Sequence, residues 1–444
     1  MLHCALLALS LIFAGMTGAA RAEQPVTSFT MENGMEVVVI EDDRAPVVTH
    51  MVWYRVGAAD EPPGASGIAH FFEHMMFRGS EKFPGGIASK IIGENGGQEN
   101  AFTSWDYTGY FQTIASDRLE LVMDLESDRM ANLIINEDVA TTERKVIIEE
   151  RNQRTDSSPQ SLFGEQMRAA LWLNHPYRIP IIGWRHEILE LSVEDLTAFY
   201  ERFYAPDNAI LVVAGDVDPK EVLALADTYY GALEPSGQPP EPRPSEPPQL
   251  APRRIQMTDP RVRQPYVMRY YLVPTYEPEK PERSAALYLL SQVLGSGIAS
   301  RFSAQLQLEE KTALSTGSFY SPVDRDATSF GIYAIPTPGT DLATVEASLD
   351  AVLAEVAANG PTEEELERIK RKLRADRIYA QDSIRSQANL YGNALAVGIS
   401  VEEVQNWPDV IEAITPEDVR AATALLDLDA SVTGYLEREE EITQ

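Results

Sequence analysis

Cysteine is nearly missing from this chain. Of 444 residues only Cys4 is a cysteine. It precedes an apolar N-terminal run, so no disulfide is expected in the mature fold, and stability has to come from a large buried core. Basic residues are scarce as well: 37 lysines and arginines stand against 68 aspartates and glutamates, a formal net charge of -31. So acidic a chain is repelled by nucleic acid and by anionic lipid headgroups, which argues against both as partners. Apolar runs long enough to cross a membrane are absent; the run over residues 5–13 is too short. Histidine, finally, occurs only six times.

What is present begins with the opening segment MLHCALLALSLIFAGMTGAARA. Its apolar centre and the small-x-small tripeptide Ala20-Arg21-Ala22 read as a secretory signal peptide over 1–22, although no lysine or arginine precedes the apolar run. Cleavage near Ala22 would place the chain in the periplasm or outside the cell.

A length of 444 residues implies more than one core. The proline-dense stretch EPSGQPPEPRPSEPPQLAP falls near the middle and favours an extended polyproline spacer. The flanking halves echo each other. VTHMVWYRVGAAD leads into an apolar helix in the first, and PYVMRYYLVPTYE leads into SAALYLLSQVLGSG in the second. Each half ends on a capped helix followed by a strand, with Ser192 and Thr415 in the capping positions. The pattern predicts an α+β protein of two tandem homologous domains, each a mixed, mostly antiparallel sheet with helices packed on one face. The expected organisation is an N-terminal domain over 23–233, a proline-rich linker over 234–253 and a C-terminal domain over 254–444.

Two of the six histidines stand four residues apart in GIAHFFEHMMF. On a helix His70 and His74 share one face, with Glu73 beside them. Two imidazoles at this spacing can bind one zinc ion, and a neighbouring carboxylate can take a proton from a metal-activated water. The plainer reading is two hydrogen-bonded histidines on an apolar helix; the HxxEH order in so histidine-poor a chain favours a metal. Tyr288, Ser291 and Gln292 occupy the equivalent positions of the second half, so only the first carries the constellation. A catalytic zinc needs a third protein ligand. NEDVATTERKVIIEERNQR offers Glu143 and Glu150 on one helical face and Glu149 a quarter-turn away; spacing alone does not choose between Glu149 and Glu150.

HFFEHMMFRGS followed about seventy residues later by ERKVIIEE resembles the pitrilysin/insulinase family of zinc metallopeptidases, in the branch of the mitochondrial processing peptidase β subunit and its bacterial heterodimeric relatives. The likeness extends over nearly the whole chain after residue 22. It implies one zinc per chain held by His70, His74 and Glu150, with Glu73 as general base and Glu143 assisting. It also implies that Asn100, Ala101, Phe102 and Thr103, in a segment that reads as an edge strand, pair with an extended peptide substrate. His175 resembles part of a family loop, but His175, His50 and His186 read as structural or surface residues. The glycines of LGSGIASRF read as a turn between helices.

One departure stands out. The family carries an arginine and a tyrosine, seven apart, in its second domain; here the aligned positions are Gln307 and Leu314, with Tyr320 and Arg325 off register. A zinc-free paralogous subunit supplying that pair, or failing that a homodimer, is the expected partner. The expected function is an exported zinc endopeptidase acting on peptides or unfolded segments; the alternative is a non-catalytic assembly or peptide-binding subunit.

Overall fold

The computed structural model describes residues 25–239 and 242–439. The signal-peptide reading over 1–22 lies outside them. Two sheets organise the chain. The first contains β1 (Val26–Thr30), β2 (Glu36–Glu41), β3 (Val47–Tyr54), β4 (Gln98–Thr103), β5 (Thr108–Ala115) and β6 (Ala209–Gly215), in the order β1-β2-β6-β3-β5-β4. The second contains β7 (Arg253–Asp259), β8 (Tyr266–Val273), β9 (Ala313–Tyr320), β10 (Thr328–Pro336) and β11 (Ser431–Arg438), in the order β7-β11-β8-β10-β9.

Leaving β1 aside, the two orders superimpose strand for strand. In each sheet one pair is parallel, β2 with β6 and β7 with β11, and the other neighbours are antiparallel. A packing device repeats as well. Phe102 on β4 lies across Gly109 on β5, and Phe319 on β9 lies across Gly331 on β10. A Cβ at Gly109 would fall 2.4 Å from the Phe102 ring, and one at Gly331 would fall 2.1 Å from that of Phe319, so a side chain at either place would push the ring aside. The expected two tandem homologous α+β domains are present.

The strands' hydrophobicity follows from cover on both faces. In β6, AILVVAG, every residue is buried. Val37, Val39, Val52, Tyr54, Leu211 and Val213 face the helices of the first half. Val38, Ile40, Met51, Trp53, Ile210 and Val212 face the other way, against Ala388, Tyr391 and Leu395. Those three belong to Ile384–Ala396, a helix from the second half. The reciprocal contact is made by Pro159–Leu171 of the first half, whose Phe163 and Met167 pack on Val432 and Leu436 of the second sheet. Each sheet therefore has its own helices on one face, as expected, and a helix lent by the other half on the opposite face. The two lent helices are equivalent even in their caps: Ser158 and Ser383 accept from the backbone N–H groups of Ser161 and Ser386.

The proline-rich linker has no regular secondary structure among its described residues up to Pro252, and Arg253, expected to close it, already begins β7; nor is it a bare spacer. The side chain of Arg243 within it is largely covered and donates to Asp60 and Asp106 of the first half and to Asp326 of the second. Glu246 accepts the backbone N–H groups of Leu173, Asn174 and His175. A guanidinium buried with three carboxylates holds its geometry only while all its partners are in place, so the linker pins the halves together.

Candidate metal centre

The site is built from a short helix, a long helix and the edge strand of the first sheet. The short helix, Ile68–Met75, turns Ile68, Ala69, Phe71, Phe72 and Met75 into the core and leaves Glu73 and His74 half-buried. Gly67 starts it with φ at 86°, and the Glu61 carboxylate accepts the N–H groups of Gly67 at 2.9 Å and Ala69 at 3.0 Å. A carboxylate at a helix N-terminus satisfies free donors and complements the dipole. The long helix, Glu137–Arg151, is capped by Asn136, whose side chain accepts from Val139, and buries Ala140, Glu143, Ile147 and Arg151. Its stride of three and four directs Glu143 and Glu150 towards the histidines. Glu149 points to solvent and bonds Gln153 and Asn152.

His70, His74 and Glu150 converge, each offering one donor atom within 4.8 Å of the others. The Glu150 Oε2 atom lies 3.1 Å from His74 Nε2 and 3.7 Å from His70 Nε2. Ligands bonded to one zinc at about 2.0–2.2 Å in a tetrahedron sit about 3.4 Å apart, so the set fits that ion. The other Glu150 oxygen is held by Arg154 at 2.5 Å. On the far side of His74, Nδ1 lies 3.5 Å from Glu143 Oε2, and the second Glu143 oxygen meets Arg78 Nε at 2.7 Å. A carboxylate behind an imidazole in this way fixes its orientation and basicity. His70 Nδ1 is buried without a hydrogen-bond partner among the described residues. Glu73 stands apart from the three donors and takes a hydrogen bond from Thr103 Oγ1 at 2.7 Å.

The charges are set by burial and by these partners. Burial and the neighbouring His74 lower the His70 pKa to about 4. Burial also pulls on His74, but the hydrogen bonds to Glu143 and Glu150 outweigh it and raise that imidazole to about 9. Glu150 is held below the usual carboxylate range chiefly by its hydrogen bond with His74. Glu73 is raised by burial, with the Thr103 hydrogen bond acting against the rise. Neutral His70, anionic Glu150 and a His74 that keeps its proton describe a metal-free cluster ready to exchange that proton for a cation.

Asn100, Ala101, Phe102 and Thr103 all lie on β4, which pairs only with β5 among the described strands. Phe102 packs on Trp53, with ring centroids 4.8 Å apart. Among the described residues, no hydrogen bond or ion pair joins an arginine or tyrosine of the second half to this cluster. Gln307 donates to Ser303 and Thr316, and Leu314 is exposed on β9. Tyr320 donates to the Pro274 carbonyl, and Arg325 sits 4.0 Å from Asp60. His50 is buried between Gln112 and Tyr230, His175 is buried 3.2 Å from Asp326, and His186 is exposed. Sequence reading missed Arg78 and Glu61. Arg78 lies just past the end of the short helix, and Glu61 meets that helix through a loop, so neither carries a periodic signal.

Comparison with known proteins identifies the family. Residues 36–184 match the family model described as insulinase (peptidase family M16), and 190–373 match the one described as peptidase M16 inactive domain. The zinc protease PqqE of Helicobacter pylori is 30% identical over 372 residues, 83% of each chain. The crystal structure of a protease from Helicobacter pylori matches with a TM-score of 0.86 at 28% identity, covering 93% of this chain and 99% of that one. The periplasmic protease PqqL of Escherichia coli shares the fold, with a TM-score of 0.78 at 22% identity over 93% of this chain but only 48% of its own length. With both halves matched by the family's models and the likeness running through most of its length, this chain belongs to the insulinase family of peptidases, M16.

Proposed function

We propose that this protein is an exported zinc-dependent endopeptidase that hydrolyses peptides or unfolded polypeptide segments. The observation that carries the reading is the convergence of His70, His74 and Glu150, with Glu73 next to His74 in the chain and outside the converging set. The organisation that goes with it is a metal-binding domain over 23–233, a linker over 234–253 and a homologous domain over 254–444 without the motif. Export is supported by the apolar N-terminal run; no helix of the described residues is long and apolar enough to cross a membrane.

His70, His74 and Glu150 would hold one zinc ion per chain, with His74 giving up its proton as the metal enters. When bound there, zinc supplies a Lewis acid that activates water and polarises a carbonyl. Glu73, unengaged by the two histidines, accepts the proton of the attacking water and passes it to the departing amine. Glu143 keeps the His74 ring in place. Asn100, Ala101, Phe102 and Thr103 offer an open strand edge to which an extended peptide can add, so that main chain is recognised before side chains. Folded proteins would be poor substrates for such a mode.

The family resemblance sets Gln307 and Leu314 where an arginine and a tyrosine are expected, so donors for the tetrahedral intermediate have to come from elsewhere. We assign them to a zinc-free paralogous subunit, with a second copy of this chain as the other arrangement. The chain's span of about half of PqqL is in keeping with a pairing of two such units. The absent pair also favours, as second reading, a subunit that binds peptide without cleaving it. A quenched fluorescent peptide separates the two. Cleavage by the chain with its partner, lost with a chelator and restored by zinc, is the expected result; peptide binding without cleavage under every condition would establish the second reading.

Arg78 provides a more local test. It neutralises Glu143, whose other oxygen steadies His74. Arg78→Met is expected to weaken zinc affinity by about 10–100-fold, the usual effect of losing a partner behind a ligand. Titration with a competing chelator measures it.

A further inference from the structure

Glu73 has one hydrogen-bond partner among the described residues, the hydroxyl of Thr103. The two lie thirty residues apart in sequence, on different elements. Side chains alternate along β4: Phe102 turns to the Trp53 face, while Ala101 packs against the core that includes the histidine helix, and Thr103 reaches the same side. The strand's outer edge meanwhile pairs with no other described strand. So β4 faces two ways at its end, with an open main-chain edge in the plane of the sheet and a hydroxyl aimed at a carboxylate below it.

Resting on the reading of Glu73 as general base, we propose that Thr103 is a positioning residue that aims Glu73 from the strand on which substrate lies. A glutamate on a helix of eight residues has several rotamers open to it. A hydrogen bond from a hydroxyl to a carboxylate is charge-assisted, and it fixes one oxygen while leaving the other free to receive a proton. Threonine suits the task because its branched Cβ makes χ1 stiff, so the strand backbone dictates where the hydroxyl points. Base and peptide are thereby referred to a single strand, and the distance between proton acceptor and scissile bond is set by local geometry. This role for the side chain is separate from any backbone pairing by residues 100–103.

Thr103→Val keeps shape and strand preference and removes the hydroxyl; Thr103→Ala removes it with a smaller side chain. Both are expected to lower kcat by about 10–100-fold, the cost of a misplaced catalytic group, with KM within about twofold of wild type and zinc content unchanged. Thr103→Ser should recover most of kcat. In a Glu73→Gln background Thr103→Val should have no further effect, since the two act as a unit. An unchanged kcat in the Val and Ala variants would overturn the assignment, as would a loss confined to KM, a loss of zinc, a Ser variant no better than Val, or additive effects in the double variant. A wild-type protein that cleaves nothing with zinc and partner present would instead sink the peptidase reading itself.

Discussion

Replacing Glu73 by glutamine is expected to reduce peptide hydrolysis by about 10²–10⁴-fold, the usual contribution of a general base, while the protein keeps its zinc. The substitution preserves shape, and its amide oxygen can still accept the Thr103 hydroxyl. What it removes is the ability to take up a proton. Glu73 is not among the three groups whose donor atoms converge, so metal affinity has no reason to fall. Steady-state cleavage of a quenched peptide, alongside metal analysis of the same sample, reads both effects. Near-normal turnover in this variant would remove Glu73 from the mechanism, and loss of zinc would make it part of the metal's hold.

The complementary variant is Glu150→Gln. Here the expected loss is of metal, and activity falls with it. The Glu150 Oε2 atom faces both imidazoles, at 3.1 and 3.7 Å, and its charge is the only anionic one in the converging set. A neutral amide leaves a dication facing two neutral rings. The fall in zinc affinity should exceed the ~10–100-fold typical of a partner behind a ligand, and dialysed protein should carry well under one zinc per chain. Glu149→Gln is the internal control. Glu149 points to solvent and, among the described residues, bonds Gln153 and Asn152, so its replacement should leave zinc content unchanged. Equal loss in both variants would show that the long helix is being disturbed as a whole.

The legible parts of this protein were those in which neighbours in sequence are neighbours in space. His70 and His74 meet because a helix brings residues four apart onto one face, and the apolar residues between them mark the face it buries. The capped helices at Ser192 and Thr415 were readable for the same reason. The duplication was readable because each half repeats the order of its elements, and the two sheets repeat it down to the Phe102–Gly109 and Phe319–Gly331 pairs. Illegible were the choices that long-range packing makes. Residues 159–171 and 384–396 look like ordinary amphipathic helices, and nothing in their periodicity says that each covers the other half's sheet. The composition of the linker suggested a spacer, but Arg243 finds carboxylates from both halves. Spacing left Glu149 and Glu150 open and only the family resemblance named Glu150; the rotation of the long helix that brings Glu150 to the histidines is something a helical wheel leaves open. The hydrogen bond from Thr103 to Glu73 joins a strand to a helix, a contact no period encodes.

The central claim is that two imidazoles and one distant carboxylate hold a single ion. Anomalous diffraction at the zinc edge from crystals of the zinc-loaded protein tests it most directly. The account predicts one strong peak per chain, about 2.0–2.2 Å from one nitrogen each of His70 and His74 and from an oxygen of Glu150. A peak elsewhere, or an ion bound by the histidines with Glu150 turned away, would contradict it.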